Sequence, residues 1–235
     1  MRPATFHAPA GRLRWFSNIM RSALPQPDGP LRVLDIGCGT GDQIFDLAAV
    51  LPHASFVGLD IERANIVIAA GRAGAHETPA RFSFEAIDYR EYATTHRYDL
   101  VMSYSVLQFV PGPLSALAER IDAHTAGGGL FVNVMPARCA YNTALALVRR
   151  GLRLTRSRAT DRVLLAAGTM LHRGSLGTDL LAERVAYAYA VPLQYEDDLA
   201  DALERRGFVT LRREPAPHAS PAQMKHTLRV MRHPI

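Results

Sequence analysis

Three glycines alternate with other residues directly after a short apolar run. Residues 33–42 read Val-Leu-Asp-Ile-Gly-Cys-Gly-Thr-Gly-Asp. Glycines permit positive φ and let a ligand approach the backbone with no Cβ in the way. A dinucleotide site would have a further glycine where Asp42 falls, and an acidic residue at a helix start suits a cationic ligand better than a pyrophosphate. The segment therefore predicts a turn that wraps around a ligand, and it disfavours NAD.

From Leu31 onward, short apolar runs alternate with helical segments. This alternation is typical of a parallel sheet covered by helices on both faces. The predicted strands are 31–36, 55–60, 81–86, 98–103 and 129–135, and the helices between them are 41–51, 62–72 and 113–124. The glycine-rich segment therefore joins the first strand to the first helix of this sheet.

Other segments flank and interrupt the alternation. Residues 11–24 place apolar side chains at helical spacing with their arginines outward, so they predict an amphipathic helix followed by a proline-rich linker. Residues 137–194 interrupt the order after the fifth strand and are predicted to be an insertion. Its helical stretches are 140–150, 161–171 and 178–187.

The end of the chain reads as a helix and two strands. The helix at 196–206 has acidic residues in its first turn and arginines in its last, and Gly207 is placed to end it. We predict strands at 208–213 and 226–232. We expect one domain over residues 1–235, divided into 1–29 (helix and linker), 30–136 (core), 137–194 (insertion) and 195–235 (closing elements).

The composition excludes several classes of protein. Hydrophobic residues make up 48% and charged residues 21% of the chain, which is an ordinary globular balance. Cys38 and Cys139 are too few for a disulfide framework or a Cys-rich metal site. No apolar run is long enough to span a membrane, and residues 1–20 lack the pattern of a signal peptide. We therefore expect a reduced, cytoplasmic protein.

The acidic residue followed by G-x-G-x-G resembles the first motif of the class I S-adenosylmethionine-dependent methyltransferases. The resemblance covers about 30–135 through motifs and 195–232 through the closing elements. It implies a three-layer, Rossmann-like α/β sandwich around a mostly parallel seven-stranded sheet with an antiparallel last strand. An N-terminal helix and a helical lid formed by the insertion would complete it. It also implies the cofactor S-adenosyl-L-methionine, held by Asp35, Gly37, Cys38, Gly39 and Gly41.

Two more carboxylates stand where the family pattern requires them. Asp60 ends the second predicted strand, where its carboxylate can accept both ribose hydroxyls. Asp88 follows the third strand, where family members use an Asp to accept from the adenine amino group. We assign Ile61 and Tyr89 to the same cofactor site. The alternatives are that Asp60 caps the next helix and that Asp88 starts a turn.

The loop after the fourth strand borders both cofactor and substrate in this family. Ser103, Tyr104, Ser105 and Gln108 fall in that loop. We assign Ser103 to the cofactor and Gln108 to the substrate, although many small-molecule methyltransferases have His where this chain has Gln108. Packing at the strand end is the alternative for Ser103 and Tyr104. Trp15 on the N-terminal helix would add an aromatic wall to the acceptor pocket.

Methyl transfer requires alignment of the acceptor rather than a metal. The sulfonium makes its methyl group electrophilic, so the protein must hold a nucleophile in line and exclude water. The nine histidines are scattered and none has metal-ligand spacing, so no metal is predicted. A base would help where the acceptor is a phenol, hydroxyl or protonated amine. The candidates are Tyr104, Tyr141 and His172, each of which could be structural instead.

The acceptor is predicted to be a small molecule, which includes secondary metabolites and quinone-like compounds. Enzymes of this fold that methylate nucleic-acid bases usually carry N/D-P-P-Y/F after the fourth strand, and residues 103–106 read Ser-Tyr-Ser-Val. The motif therefore disfavours nucleic acid. Two alternatives stay open: a protein that binds the cofactor without transferring methyl, and an RNA methyltransferase.

The net charge of +5 and the pI near 9.5 are partly local. Residues 149–162 contain six arginines and one aspartate. A solvated helix face, an anionic substrate and a peripheral contact of 145–162 with anionic lipid would each explain them. We expect a monomer or homodimer.

Overall fold

A computed structural model describes residues 10–26, 28–171, 185, 188–217 and 223–235. The chain divides into two compact units. The first contains Met1–Ala137 and Gln194–Ile235, and the second contains Arg138–Leu193. The second unit therefore covers nearly the same residues as the predicted insertion, and the prediction of a single domain stays a prediction.

The first unit is built on one seven-stranded sheet. Its strands are β1 (Leu31–Ile36), β2 (Ala54–Asp60), β3 (Phe82–Ala86), β4 (Tyr98–Tyr104), β5 (Thr125–Pro136), β6 (Val209–Pro215) and β7 (His226–Arg232). The order across the sheet is β3-β2-β1-β4-β5-β7-β6. Neighbours from β3 to β5 are parallel, whereas β7 is antiparallel to both β5 and β6. This order and direction confirm the predicted Rossmann-like sheet with an antiparallel last strand.

Helices of the first unit cover both faces of the sheet. They are α1 (Ala10–Ala23), α2 (Asp42–Val50), α3 (Arg63–Gly74), α4 (Leu114–His124) and α7 (Glu196–Glu204), whereas α5 (Ala140–Leu154) and α6 (Arg158–Leu171) belong to the second unit. Because side chains alternate along a strand, Val33 faces a core shared with α1 and α2, and Leu34 faces a core shared with α4 and α7. Both side chains are fully buried, and each such burial stabilises the fold by about 1.5–3 kcal/mol.

The observed bounds differ from the predicted ones at a few places. β5 begins at Thr125, four residues before the predicted start at 129 (129 − 125), because Thr125 pairs with Tyr98 ahead of a bulge. α7 ends at Glu204, before Gly207 with its φ of +89°. Most of the predicted helical stretch 178–187 lies outside the described residues.

The second unit contains α5 and α6. The guanidinium groups of Arg149 and Arg153 donate to the carbonyl oxygens of Ala190 and Tyr189 within the same unit, at 2.9 and 2.6 Å. Arg156 lies over the Tyr189 ring. Three of the six arginines therefore bind groups of their own unit, and an anionic ligand or lipid contact stays a prediction. Among the described residues, none of the helices has the length and apolarity of a membrane span.

Candidate cofactor and acceptor site

The glycine turn, defined as residues 37–41, lies at the carboxyl end of β1. The backbone N–H groups of Gly37 and Cys38 both donate to the carbonyl oxygen of Leu59, at 2.7 and 2.9 Å. Gly41 takes the N-cap position of α2 with a left-handed φ of +81°. These bonds fix the turn against the end of β2, so its backbone conformation is set before any ligand arrives.

Packing explains two of the three glycines. A Cβ on Gly37, where φ is +79°, would lie 2.3 Å from Cγ2 of Val106. A Cβ on Gly41 would lie 2.9 Å from the ring of Phe45. Both positions combine a positive φ with a closely packed neighbour, so a larger residue would be strained and would clash.

Gly39 has a different reason to be glycine. Its φ is +56°, and among the described residues other than its two chain neighbours, no heavy atom lies within 4 Å of a Cβ built on it. Its N–H donates to Oδ2 of Asp60 at 2.8 Å, and the N–H of Glu62 donates to Oδ1 of the same carboxylate at 2.8 Å. Since each carboxylate oxygen can accept more than one bond, Asp60 can hold the turn and still accept ligand hydroxyls. The open side of Gly39 and the adjacent carboxylate fit the predicted nucleoside cofactor.

The alternative role of Asp60 as a helix cap is not observed. The N-cap of α3 is Glu62, whose side chain accepts from the N–H of Ala64. Ile61, between the two acidic residues, is 74% exposed. An apolar side chain at this edge offers a surface that a flat ring could cover, and its assignment to the cofactor site stays a prediction.

The predicted adenine contacts after β3 are only partly available. Asp88 forms a two-pronged ion pair with Arg90, and this side-chain hydrogen bond lowers the pKa of the carboxyl. Its Oδ1 also accepts a hydrogen bond from the backbone N–H of Arg90. This bond agrees with the alternative role of Asp88, which was to start a turn. Tyr89 is buried, and its hydroxyl hydrogen-bonds with Nδ1 of His124. The Tyr89 ring packs in the core with α4, and its assignment to the cofactor site stays a prediction.

Asp35 and Cys38 lie in the core behind the turn. Asp35 is 4% exposed, and burial, reinforced by the charge of Asp60, raises the pKa of its carboxyl to about 8. Burial also raises the pKa of the Cys38 thiol, which stays protonated. A carboxyl with a raised pKa in a cleft is a frequent property of functional sites.

The raised pKa of Asp35 makes the stability of the protein depend on pH. Between its ordinary pKa of 3.8 and about 8, the folded protein keeps a proton that the unfolded chain has lost, so the free energy of unfolding falls as pH rises. Asp35→Asn cannot ionise, and we expect it to be more stable than the wild type by a margin that grows from pH 5 to pH 8. Urea unfolding at several pH values measures this margin. Asp28→Asn, at an exposed position, is the control, and an equal dependence for both variants would contradict the prediction.

The end of β4 carries the predicted acceptor residues. The hydroxyl of buried Ser103 donates to the carbonyl oxygen of Ile36 at 2.9 Å. This bond ties β4 to β1, which agrees with the alternative of packing at the strand end, and the assignment of Ser103 to the cofactor stays a prediction. Tyr104 lies under α1, with the Arg12 guanidinium 4.5 Å from its ring centroid and the Phe16 ring edge-on at 5.4 Å. Burial raises the pKa of Tyr104 against the opposing effect of Arg12. Its protonated phenol can orient an acceptor but is a poor base.

Gln108 belongs to a hydrogen-bonded cluster that includes a histidine from the last strand. Its Nε2 donates to the Ser105 carbonyl oxygen at 2.8 Å and to Oγ of the same residue at 2.9 Å. Oγ of Ser105 also lies 3.0 Å from Nε2 of His226. His226 is 121 residues away in sequence, and nothing in the local sequence signals its place in the site. Neither His226 nor Arg12 could therefore be assigned to the site from sequence spacing.

The other predicted site residues are placed as follows. Trp15 is partly buried on α1 and packs against the core beside Phe16. Tyr141 is 38% exposed on α5 of the second unit, and His172 lies outside the described residues. Their predicted roles stay predictions. Within the described ranges, no group of three or more His, Cys, Asp or Glu side chains is arranged to hold a metal ion.

Comparison with known proteins identifies related sequences. Residues 28–149 match the family described as "Methyltransferase domain". The chain is 33% identical over 123 residues to a trans-aconitate 2-methyltransferase of Streptomyces avermitilis, which covers 52% of this chain and 46% of that protein. It is 30% identical over 106 residues to a ubiquinone biosynthesis O-methyltransferase of Vibrio cholerae, which covers 44% of this chain and 42% of that protein. The chain thus spans about half the length of these curated relatives.

Solved structures share the fold over nearly the whole chain. The N-methyltransferase NodS from Bradyrhizobium japonicum is 14% identical with a TM-score of 0.62, and the match covers 96% of this chain and 98% of NodS. A second NodS structure is a complex with S-adenosyl-L-homocysteine, with a TM-score of 0.56. The [4+2]-cyclase SpnF is 15% identical with a TM-score of 0.64, covering 100% of this chain and 86% of SpnF. At these identities the likeness shows the fold alone.

Proposed function

Because this chain belongs to the methyltransferase domain family, which matches residues 28–149, we propose that it transfers the methyl group of S-adenosyl-L-methionine to a small-molecule acceptor. Membership confirms the family predicted from the glycine turn. S-adenosyl-L-methionine is the cofactor of that family, as the NodS complex with its demethylated product illustrates.

The observation that carries the proposal is the geometry around Gly39. Its left-handed backbone leaves open space where any other residue would have a Cβ, and its N–H is held by the carboxylate of Asp60. We infer that this open backbone and the carboxylate beside it together bind the nucleoside of the cofactor. Buried Asp35 lies behind the glycine turn, and its ionised form would be favoured by a nearby cationic ligand.

When bound, the cofactor supplies an electrophilic methyl group on a sulfonium. The protein's own contribution is to place the acceptor in line with that methyl and to exclude water. Val106 packs directly against Gly37, so the loop after β4 adjoins the glycine turn. We therefore expect an acceptor next to the glycine turn, bordered by Tyr104, by Ser105 and by Arg12 near the start of α1.

A small-molecule acceptor is favoured by three features. The curated relatives carry names of enzymes that act on trans-aconitate and in ubiquinone biosynthesis. The sequence after β4 lacks the N/D-P-P-Y/F motif of base-methylating enzymes. Arg12 and Tyr104 combine a cation with an aromatic ring at the end of β4, a combination that suits a small anionic or aromatic compound.

The second candidate is a protein that binds the cofactor and transfers no methyl group. Its support is the fold shared with SpnF, which is named a cyclase, since a fold hosts several activities. The two candidates differ in whether the cofactor is consumed.

A labelled-cofactor experiment separates these candidates. We expect calorimetry to detect binding of both S-adenosylmethionine and S-adenosylhomocysteine. Incubation with methyl-labelled cofactor and a metabolite extract should release S-adenosylhomocysteine while one compound gains the mass of a methylene group. Binding without release would favour the second candidate, and absence of binding would refute both.

A further inference from the structure

The Ser105–Gln108–His226 cluster has a fixed hydrogen-bond direction. Nδ1 of His226 lies 2.8 Å from the carbonyl oxygen of Met224, which can only accept, so Nδ1 carries a proton. In the neutral ring Nε2 is then an acceptor. Because Gln108 donates to Oγ of Ser105, the hydroxyl hydrogen of Ser105 is directed to Nε2 of His226. The result is a serine hydroxyl polarised by a neutral histidine of defined tautomer.

The backbone of Ser105 is held in an unusual conformation. Its φ is +60°, the only positive φ of a non-glycine residue among the described residues. Such a conformation is strained and persists where the surroundings enforce it, often at active sites. Here its N–H donates to the carbonyl oxygen of Val134 at 2.8 Å, and its side chain bridges to β7.

The cluster lies beside the glycine turn. Ser105 directly follows β4, and the next residue, Val106, packs against the Cα of Gly37. His226 begins β7 at the edge where β5 ends, opposite Pro136. Ser105 and His226 are both partly exposed. Ser105 and His226 therefore lie at the edge of the sheet that carries the glycine turn, with part of each side chain open to solvent.

We propose that Ser105 and His226 remove the proton from a weakly acidic hydroxyl of the acceptor during methyl transfer, which deepens and rests on the proposed function. Ser105 contacts the acceptor, and His226 acts through it as a positioning residue. The acceptor O–H proton passes to Oγ of Ser105 as the serine proton passes to Nε2 of His226. A bond forms between the acceptor oxygen and the methyl carbon, while the carbon–sulfur bond breaks and its electron pair stays on sulfur. The imidazolium then releases the proton to water.

This arrangement specifies the chemical class of the acceptor. A carboxylate is already ionised near pH 7 and needs no base, whereas a phenol or an enol gains from one. The acceptor is therefore a compound whose reacting oxygen carries a proton at neutral pH. The expected product is a methyl ether rather than a methyl ester.

Nuclear magnetic resonance of the His226 ring tests the placement without an acceptor. We expect its pKa to be lower in the complex with S-adenosylmethionine than in the complex with S-adenosylhomocysteine, by about half a unit or more, because the sulfonium charge lies within several ångströms. Lys225 just before β7, Arg229 on β7 and Glu214 on β6 are the same in both complexes, so the difference isolates the sulfonium. Equal values would overturn the proposal. Failure to bind either compound would refute the proposed function itself.

Substitutions test the proton transfer with the compound identified as the acceptor. His226→Asn retains a donor toward Met224 and removes Nε2, and we expect it to lower kcat by about 100-fold with unchanged affinity for S-adenosylhomocysteine. Ser105→Ala should have a similar effect. His233→Gln, beyond the other end of β7, is the control and should keep kcat. Normal kcat in both His226→Asn and Ser105→Ala would overturn the proposal even if the wild type transfers methyl.

Discussion

Replacing Arg229 with methionine is expected to lower the free energy of unfolding by about 3 kcal/mol. Its guanidinium pairs with both carboxylate oxygens of Glu196, whose side chain has no exposed surface. The substitution leaves this buried carboxylate with Arg213 alone, which is half-exposed and 3.5 Å away. Loss of one partner of a buried pair is costly because the remaining charge has lost both water and its counterion.

Chemical denaturation of matched variants measures this effect. Arg21→Met removes an exposed ion pair with Asp28 and should change stability by less than about 1 kcal/mol. A similar small change in Arg229→Met would contradict the prediction. Glu196 begins α7 and Arg229 lies on β7, so the pair fixes this helix to the strand that also carries His226.

Gly39→Ala is expected to weaken the binding of S-adenosylhomocysteine by about 30-fold, equivalent to about 2 kcal/mol. No protein atom lies within 4 Å of the new methyl group, so its neighbour would be the cofactor. The left-handed backbone alone adds a stability cost of about 1 kcal/mol. The expected signature is therefore a large loss of affinity with a small loss of stability.

A second left-handed glycine separates backbone strain from ligand contact. Gly128 in β5 has a φ of +73° and only an ordinary contact with Ile235 near its Cβ position. Gly128→Ala should lose similar stability and keep its affinity in calorimetry. Equal affinity losses in the two variants would mean that the loss at Gly39 comes from strain, and the assigned cofactor surface would be wrong.

The local sequence was sufficient to predict the strands of the sheet and the glycine turn. The alternation of short apolar runs with helical segments predicted every strand of the sheet to within a few residues. This was possible because side chains point alternately to the two faces of a strand, so a strand leaves a pattern in its own residues. Gly37, Gly39 and Gly41 predicted the turn because the ability to adopt a positive φ is a property of each glycine itself. Asp60 followed from its place at the end of β2, which adjoins β1 in the sheet.

Only the tertiary structure decided which side chains meet at the end of β4. The register of β7 against β5 brings His226 to Ser105 across 121 residues, and the packing of α1 brings Arg12 over Tyr104. Tertiary packing also decided that Tyr89 bonds with His124 of α4 and that Ser103 of β4 bonds with Ile36 of β1. Sequence spacing determines the backbone near each residue, whereas the partner of a side chain depends on long-range packing that no local pattern contains.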